Sequence, residues 1–266
     1  MENLAKVFDA PWNILMVGPP GTGKSSLAVA EATRRGRPVA RVQVTNTLED
    51  MDVFGTFTPD RGWQPGTGLR AWLAGGWLIL DDIHEARGSL LGAVYSLADH
   101  PSLASYTTPY GETLRPGSGY RVIATTNAPP DSLPPAVHDR FATIEVREVL
   151  PHVLEYMRHS WRSINAPYEW AHFGDAVSRF VAEGYASSAK SSSWLTGPRF
   201  SVRDATRLIQ ALPIFLGGDE WPSPTVDTLR GIAEWVISDK AIADEVAAGI
   251  VALMTERKPT GEATEE

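Results

Sequence analysis

Gly18-Pro19-Pro20-Gly21-Thr22-Gly23-Lys24-Ser25 decides the fold of this chain. The stretch satisfies the pattern G-x-x-x-x-G-K-[ST] at every fixed position. The run Ile14-Leu15-Met16-Val17 before it is short and apolar, as a buried strand requires, and Ser25 to Ala32 after it favours helix. Strand, glycine-rich loop and helix in that order predict a phosphate-binding loop. Glycines let backbone N–H groups close around phosphate oxygens with no Cβ in the way, and the helix N-terminus adds positive potential. In such a loop Lys24 reaches the β- and γ-phosphates, while the Ser25 hydroxyl ligates Mg²⁺. The expected ligand is a nucleoside triphosphate.

The rest of the composition narrows the class. The chain has 266 residues, 43% apolar and 21% charged, enough for one large domain or a core with a small second domain. A net charge of −8 argues against a generally basic nucleic-acid surface. There are no cysteines, which excludes disulfides, thiolate metal sites and a cysteine nucleophile. The six histidines form no H-E-x-x-H, and no G-x-S-x-G occurs. The longest uncharged apolar run, Ala71 to Leu80, is too short to cross a bilayer, and the N-terminus has no signal-like segment. These features predict a soluble, cytoplasmic protein with no membrane partner.

Outward from the loop, strands and helices alternate. Residues 1–13 read as a lead-in with Asn13 opening the first strand. The first helix is expected from about Lys24 to Arg35, stopped by Gly36. Val39 to Thr45 reads as a strand, with Ala40, Val42 and Val44 alternating against Arg41 and Gln43. Thr47 is a plausible cap for a short helix through Asp50, and residues 55–68, rich in Gly, Pro and Thr, read as loop. Gly76 to Asp82 is an apolar strand, hence covered on both faces, and a helix follows over Ser89 to Asp99. Residues 105–119 predict a hairpin around Tyr110-Gly111, and Tyr120–Asn127 and Phe141–Val146 two more strands.

The alternation predicts a parallel sheet wrapped by helices, an α/β core over residues 1–148. From 149 to 255 only helical spacing remains, carried by Val177, Phe180 and Val181, by Val202, Ala205, Leu208, Ile209 and Leu212, and by two later runs. This segment is expected to be a small all-α domain, with Ser201 and Asp204 in a capping box, a serine-rich mobile loop at 187–193, and a flexible acidic tail at 256–266.

Three further stretches carry chemistry. Asp81 ends an apolar strand, where a carboxylate can support the Mg²⁺ held by Ser25, and Asp82 is the natural group to orient or deprotonate the attacking water. Thr125-Thr126-Asn127 ends another apolar strand, so its polar tips are expected beside the γ-phosphate. Asp139-Arg140-Phe141 precedes the last strand and, taken alone, reads as a surface salt bridge.

GPPGTGKS, WLILDDIHEA, RVIATTNAPP, HDRFATIEV and GPRFSVRDATRL together resemble an AAA+ ATPase, a phosphate-loop NTPase, and within it the MoxR and dynein-related branch. The resemblance runs from about Asn13 to Leu212. It implies ATP and Mg²⁺ as cofactors, with Gly18, Pro19, Pro20, Gly21, Thr22, Gly23, Lys24, Ser25 and Ser26 on the nucleotide. It implies that Asn127 is sensor 1 and Arg140 the arginine finger offered to a neighbouring subunit. Arg199 is the implied sensor 2 on the helical lid, with Arg203 as second choice. The implied assembly is a ring, usually hexameric, that remodels or activates a partner protein.

One departure matters. The family's strand motif ends Asp-Glu, and here it ends Asp81-Asp82. The shorter side chain sits roughly a bond length farther from the water, and a misplacement of about 1 Å can cost about 10²-fold in rate. Either the site closes around Asp82, or Glu85 contributes, or hydrolysis is slow. His84 stands where the motif commonly has Asn. Two rival readings follow: a nucleic-acid motor or restriction-type ATPase, and a nucleotide-gated scaffold with little turnover. The basic run Arg34-Arg35-Gly36-Arg37 would serve the first, although such a run is more often a solvated helix end.

Overall fold

The structure, a computed structural model, describes residues 6–100, 102–164, 166–216 and 221–256. The expected tail at 256–266 therefore lies outside the described residues except for Glu256. The chain divides into two compact units, Met1–Pro19 with Lys24–Val146, and Pro20–Gly23 with Arg147–Glu266.

The first unit opens with β1 (Asn13–Val17), α1 (Lys24–Arg34), β2 (Val39–Gln43) and α2 (Asp50–Phe54). β3 (Gly55–Thr58), β4 (Gly62–Pro65), α3 (Thr67–Leu73), β5 (Trp77–Asp81) and α4 (Gly88–Leu97) follow. β6 (Tyr106–Thr107), β7 (Thr113–Leu114), β8 (Arg121–Thr126), α5 (Pro135–His138) and β9 (Phe141–Glu145) complete it. Five strands form one sheet in the order β2-β5-β8-β1-β9, and every pairing in it is parallel. Strands in the middle of such a sheet are covered on both faces, which is why β5 and β1 read as continuous apolar runs. Ile14 to Val17 and Leu78 to Leu80 are fully buried. Asn13 ties the start of β1 to its surroundings, donating to the Ala98 carbonyl at 2.7 Å and accepting from the Val122 N–H at 2.9 Å.

β2 lies at the sheet edge, so its alternation is shallow: Ala40 and Val42 are half-buried, and Arg41 and Gln43 face water. It also ends at Gln43, two residues earlier than the pattern predicts, with Val44 buried beyond it. The order places the C-terminal ends of β5 and β8 beside the loop that leaves β1. Polar residues at those ends therefore gather at one rim of the sheet, where α/β folds place ligands.

Two local expectations are corrected. Residues 55–68 are not loop but a β3–β4 hairpin followed by the start of α3. Phe57 pairs with Trp63 across it, and Gly62, at φ +70°, completes the Pro59-Asp60 turn. The composition signalled the turn and hid the strands. The cap of α2 is Glu49, whose N–H donates to Asp52 at 2.9 Å, while the Thr47 hydroxyl is engaged with Thr45. The hairpin around Tyr110-Gly111 is present as β6–β7.

The second unit is helical: α6 (Pro151–Arg162), α7 (Phe173–Ser188), α8 (Val202–Phe215), α9 (Val226–Val236) and α10 (Lys240–Thr255). Its core includes Val177, Val181, Ala205, Leu208, Ile209, Leu212, Val246 and Ile250, positions that helical spacing selects, together with Trp161, Trp170 and Phe173, which it does not. Ser201 and Asp204 form the expected capping box. Ser187 and Ser188, expected in a loop, belong to the last turn of α7.

Candidate functional site

The loop after β1 turns through Gly21 at φ +80° and Gly23 at φ +94°, a region closed to residues with a Cβ except at a cost. Lys24 begins α1 and is 8% exposed. Its Nζ donates to the carbonyl oxygens of Gly18 and Pro19, each at 2.8 Å. Burial pulls its ammonium from 10.5 down to about 8, against the opposing pull of Asp82 and then Asp81. Lys24 is thus a largely buried, hydrogen-bonded cation whose charge desolvation opposes.

Asp81, at the end of β5, is 3% exposed. Its Oδ1 accepts from the Ser25 hydroxyl and, at 3.1 Å, from the Thr125 hydroxyl. Its Oδ2 accepts from the Arg41 Nε. The register makes this arrangement: Gln43 lies opposite Asp81 between β2 and β5, and Leu80 lies opposite Ala124 between β5 and β8. Asp82 follows at φ +58°, the one non-glycine with positive φ among the described residues. Aspartate is among the few side-chain-bearing residues that enter this region readily, so the backbone here favours Asp over Glu. Its carboxylate accepts from the Gln43 Nε2 at 2.9 Å, and its N–H donates to the Thr125 hydroxyl at 3.3 Å.

Lys24, Ser25, Asp81, Asp82 and Thr125 thus come together as the motifs require. Arg41 and Gln43 join them without having been foreseen. Their signal was the polar face of β2, but only the register with β5 says what that face meets.

The remaining candidates make other contacts. Asn127 is exposed, one residue past β8. The Thr126 hydroxyl lies 3.1 Å from His84 Nδ1, and Glu85 Oε1 lies 3.4 Å from His84 Nε2, so Glu85 leans on its neighbour. Arg140 is held within its own chain: Nε donates to Asp99 at 2.9 Å and to the Tyr95 carbonyl at 3.2 Å, and Nη1 to the Ala136 carbonyl at 3.0 Å. Its guanidinium also lies 5.2 Å from the Tyr95 ring centroid. In the basic run, Arg34 and Arg35 are ion-paired with Glu31, and Arg35 also with Asp9. Arg34 is exposed, but the Arg35–Glu31 pair is largely enclosed and Arg35 lies over the Phe8 and Trp77 rings, so the expected solvated helix end holds only in part. Charges already committed within the chain weaken the case for a nucleic-acid contact.

In the second unit, the tip of the phosphate loop has its own supports. The Tyr185 hydroxyl, from α7, donates to the Pro20 carbonyl. Burial raises the Tyr185 phenol to about 12, opposed by a hydrogen bond from the Val202 backbone. The Leu150 N–H donates to the Thr22 carbonyl at 3.0 Å. Tyr185 reads in sequence as one more core residue of a helix. Arg199 and Arg203 are both exposed, Arg199 before α8 and Arg203 in its first turn.

Among the described residues no group of three or more His, Asp or Glu is placed to hold a metal ion. The Ser25 hydroxyl and the Asp81 carboxylate are nevertheless hard oxygen donors in contact. Such a pair fits Mg²⁺, which is commonly bound through one or two protein oxygens with substrate phosphates and water completing the shell. No described helix is long and apolar enough to cross a membrane.

Residues 13–141 match the family model of the AAA domain, dynein-related subfamily. Midasin of Dictyostelium discoideum is 30% identical over 133 residues, 47% of this chain and 2% of that protein. NorQ of Paracoccus denitrificans is 27% identical over 139 residues, 50% of this chain and 51% of that protein. The match thus spans about half of NorQ and a small fraction of midasin. Among solved structures, NtrX of Brucella abortus aligns with a TM-score of 0.60 at 17% identity, covering 86% of this chain and 53% of that one. NtrX has also been solved in complex with ADP and with ATP.

Proposed function

Because residues 13–141 of this chain match the AAA domain, dynein-related subfamily, we propose that the protein binds ATP with Mg²⁺ and hydrolyses it, as a ring that remodels or activates a partner protein. The observation that carries the reading is the convergence of Ser25, Thr125 and Asp81 beside a buried Lys24. A basic group, a hydroxyl and an acid at one sheet rim are the parts a triphosphate site needs.

In this reading Lys24 leaves the Gly18 and Pro19 carbonyls for the β- and γ-phosphate oxygens, exchanging neutral acceptors for charged ones. When bound, Mg²⁺ supplies charge neutralisation at the phosphate oxygens, with Ser25 and Asp81 as the residues that would hold it. Asp82 accepts a hydrogen bond from the attacking water and orients it, and Gln43 fixes that carboxylate meanwhile. Asn127 offers its amide to the same water or to the γ-phosphate. Arg140 gives up Asp99 to stabilise developing charge on a neighbour's nucleotide. Arg199, or Arg203 in its place, reports nucleotide state to the helical unit.

Replacing Lys24 with Ala tests the site directly. Charge-assisted hydrogen bonds contribute about 1.5–3 kcal/mol each, so losing two lowers nucleotide affinity at least about 100-fold. Tight binding of a labelled ATP analogue retained by Lys24→Ala would remove the phosphate-loop assignment.

A further inference from the structure

Arg41 is a charged residue bonded to Asp81 to which the proposed chemistry gives no part. It projects from the edge strand β2 with 58% of its side chain exposed, and its Nε donates to Oδ2 of Asp81, which is almost fully buried. Both oxygens of that carboxylate are therefore in use, one by the Ser25 and Thr125 hydroxyls and the other by Arg41.

We propose that Arg41 is a resident counter-cation for Asp81: a positioning residue that holds the carboxylate in the metal-free site and is displaced when a divalent cation binds. The inference rests on Asp81 being the metal-supporting acid. A carboxylate this buried needs a compensating charge, or its desolvation goes unanswered. Lys24 also feels Asp82 and Asp81 electrostatically, while its ammonium donates to the Gly18 and Pro19 carbonyls; Arg41 is the cation whose hydrogen bond reaches Asp81 Oδ2.

A guanidinium on Oδ2 and a divalent ion at the same carboxylate repel each other, so both cannot be held at full strength. Of the two side chains, Arg41 is the one free to move. Asp81 is enclosed at the end of a central strand, while an edge-strand arginine swings into water at small cost. Metal arrival would therefore release Arg41 from Asp81, two residues along β2 from the Gln43 that holds Asp82. Metal occupancy would then loosen the strand that restrains the water-orienting acid.

Mn²⁺ titration of the ADP-saturated protein, followed by the EPR signal of free Mn²⁺, tests this. Arg41→Gln is expected to bind Mn²⁺ about three- to tenfold tighter than wild type, the span of a partly exposed, charge-assisted ion pair, with Arg41→Lys between them. Without metal, Arg41→Gln should also unfold at lower temperature than wild type and gain more from added Mn²⁺. Asp81→Asn should weaken Mn²⁺ binding. Unchanged or weaker Mn²⁺ binding by Arg41→Gln, with Asp81→Asn weakened as expected, overturns the role of Arg41. Undiminished Mn²⁺ binding by Asp81→Asn would instead overturn the reading of the site on which it rests.

Discussion

Nucleotide binding should take up protons above pH 8, and Lys24 is the source. In the free protein burial brings its ammonium down to about 8. Beside the phosphates of a bound nucleotide the charged form is favoured again. At pH 8.5 about one quarter of free molecules carry the proton and nearly all bound ones do, so binding draws in roughly 0.7 proton per site. At pH 7 the free side chain is already about nine-tenths charged, and the uptake falls to roughly 0.1. The second ionisation of a phosphate monoester lies near 6, so the ligand itself adds little at the higher pH. Calorimetric titration with an ATP analogue in two buffers of different ionisation heat measures the uptake directly. The same depressed value affects folding: the unfolded chain binds more protons than the folded one between about 8 and 10.5, so this group's contribution to stability improves as pH rises through that window. Equal heats in both buffers at pH 8.5, or net proton release, would refute the picture of a buried lysine recharged by phosphate.

Two more outcomes follow from the geometry. Tyr185→Phe removes the only atom that reaches the Pro20 carbonyl from that side chain, which costs about 1 kcal/mol and lowers the melting temperature by about 2–4 °C; an unchanged melting curve would dismiss the contact. Arg140→Ala and Lys24→Ala proteins, each inactive, should recover part of the wild-type rate when mixed, since a residue stabilising phosphoryl-transfer charge contributes about 10³–10⁵-fold and mixed rings contain some intact interfaces. Mixed assemblies that form and stay inactive would confine Arg140 to the Asp99 pair seen within its own chain.

What the sequence made legible was set by how local each signal is. The phosphate loop, its strand and its helix are contiguous, and β5 announces itself because a central parallel strand must be apolar on both faces. The Asp81 carboxylate could be placed because it ends that strand. Arg41 and Gln43 could not, since their meaning depends on β2 pairing with a strand 38 positions further on, Val39 against Trp77. The left-handed backbone at Asp82 is likewise invisible in composition, yet it gives a reason for the shorter acid at this position. Arg140 read alone as a surface ion pair, and in the folded chain it makes one, with Asp99. The β3–β4 hairpin escaped because its Pro, Gly and Thr residues look like loop until Phe57 and Trp63 are seen to pair.

The claim at the centre of this account is that the chain turns over ATP with Asp82 as the water-orienting acid. Steady-state phosphate release by wild type, Asp82→Asn and Asp82→Glu, with nucleotide affinity measured on the same samples, tests it most directly. Wild type should hydrolyse ATP. Asp82→Asn should bind ATP with near wild-type affinity and lose turnover by about 10² or more. Asp82→Glu should retain measurable turnover but unfold more readily, because glutamate enters the left-handed region less readily than aspartate. Normal turnover by Asp82→Asn, with Glu85→Gln inactive, would move the role to Glu85 and contradict the account.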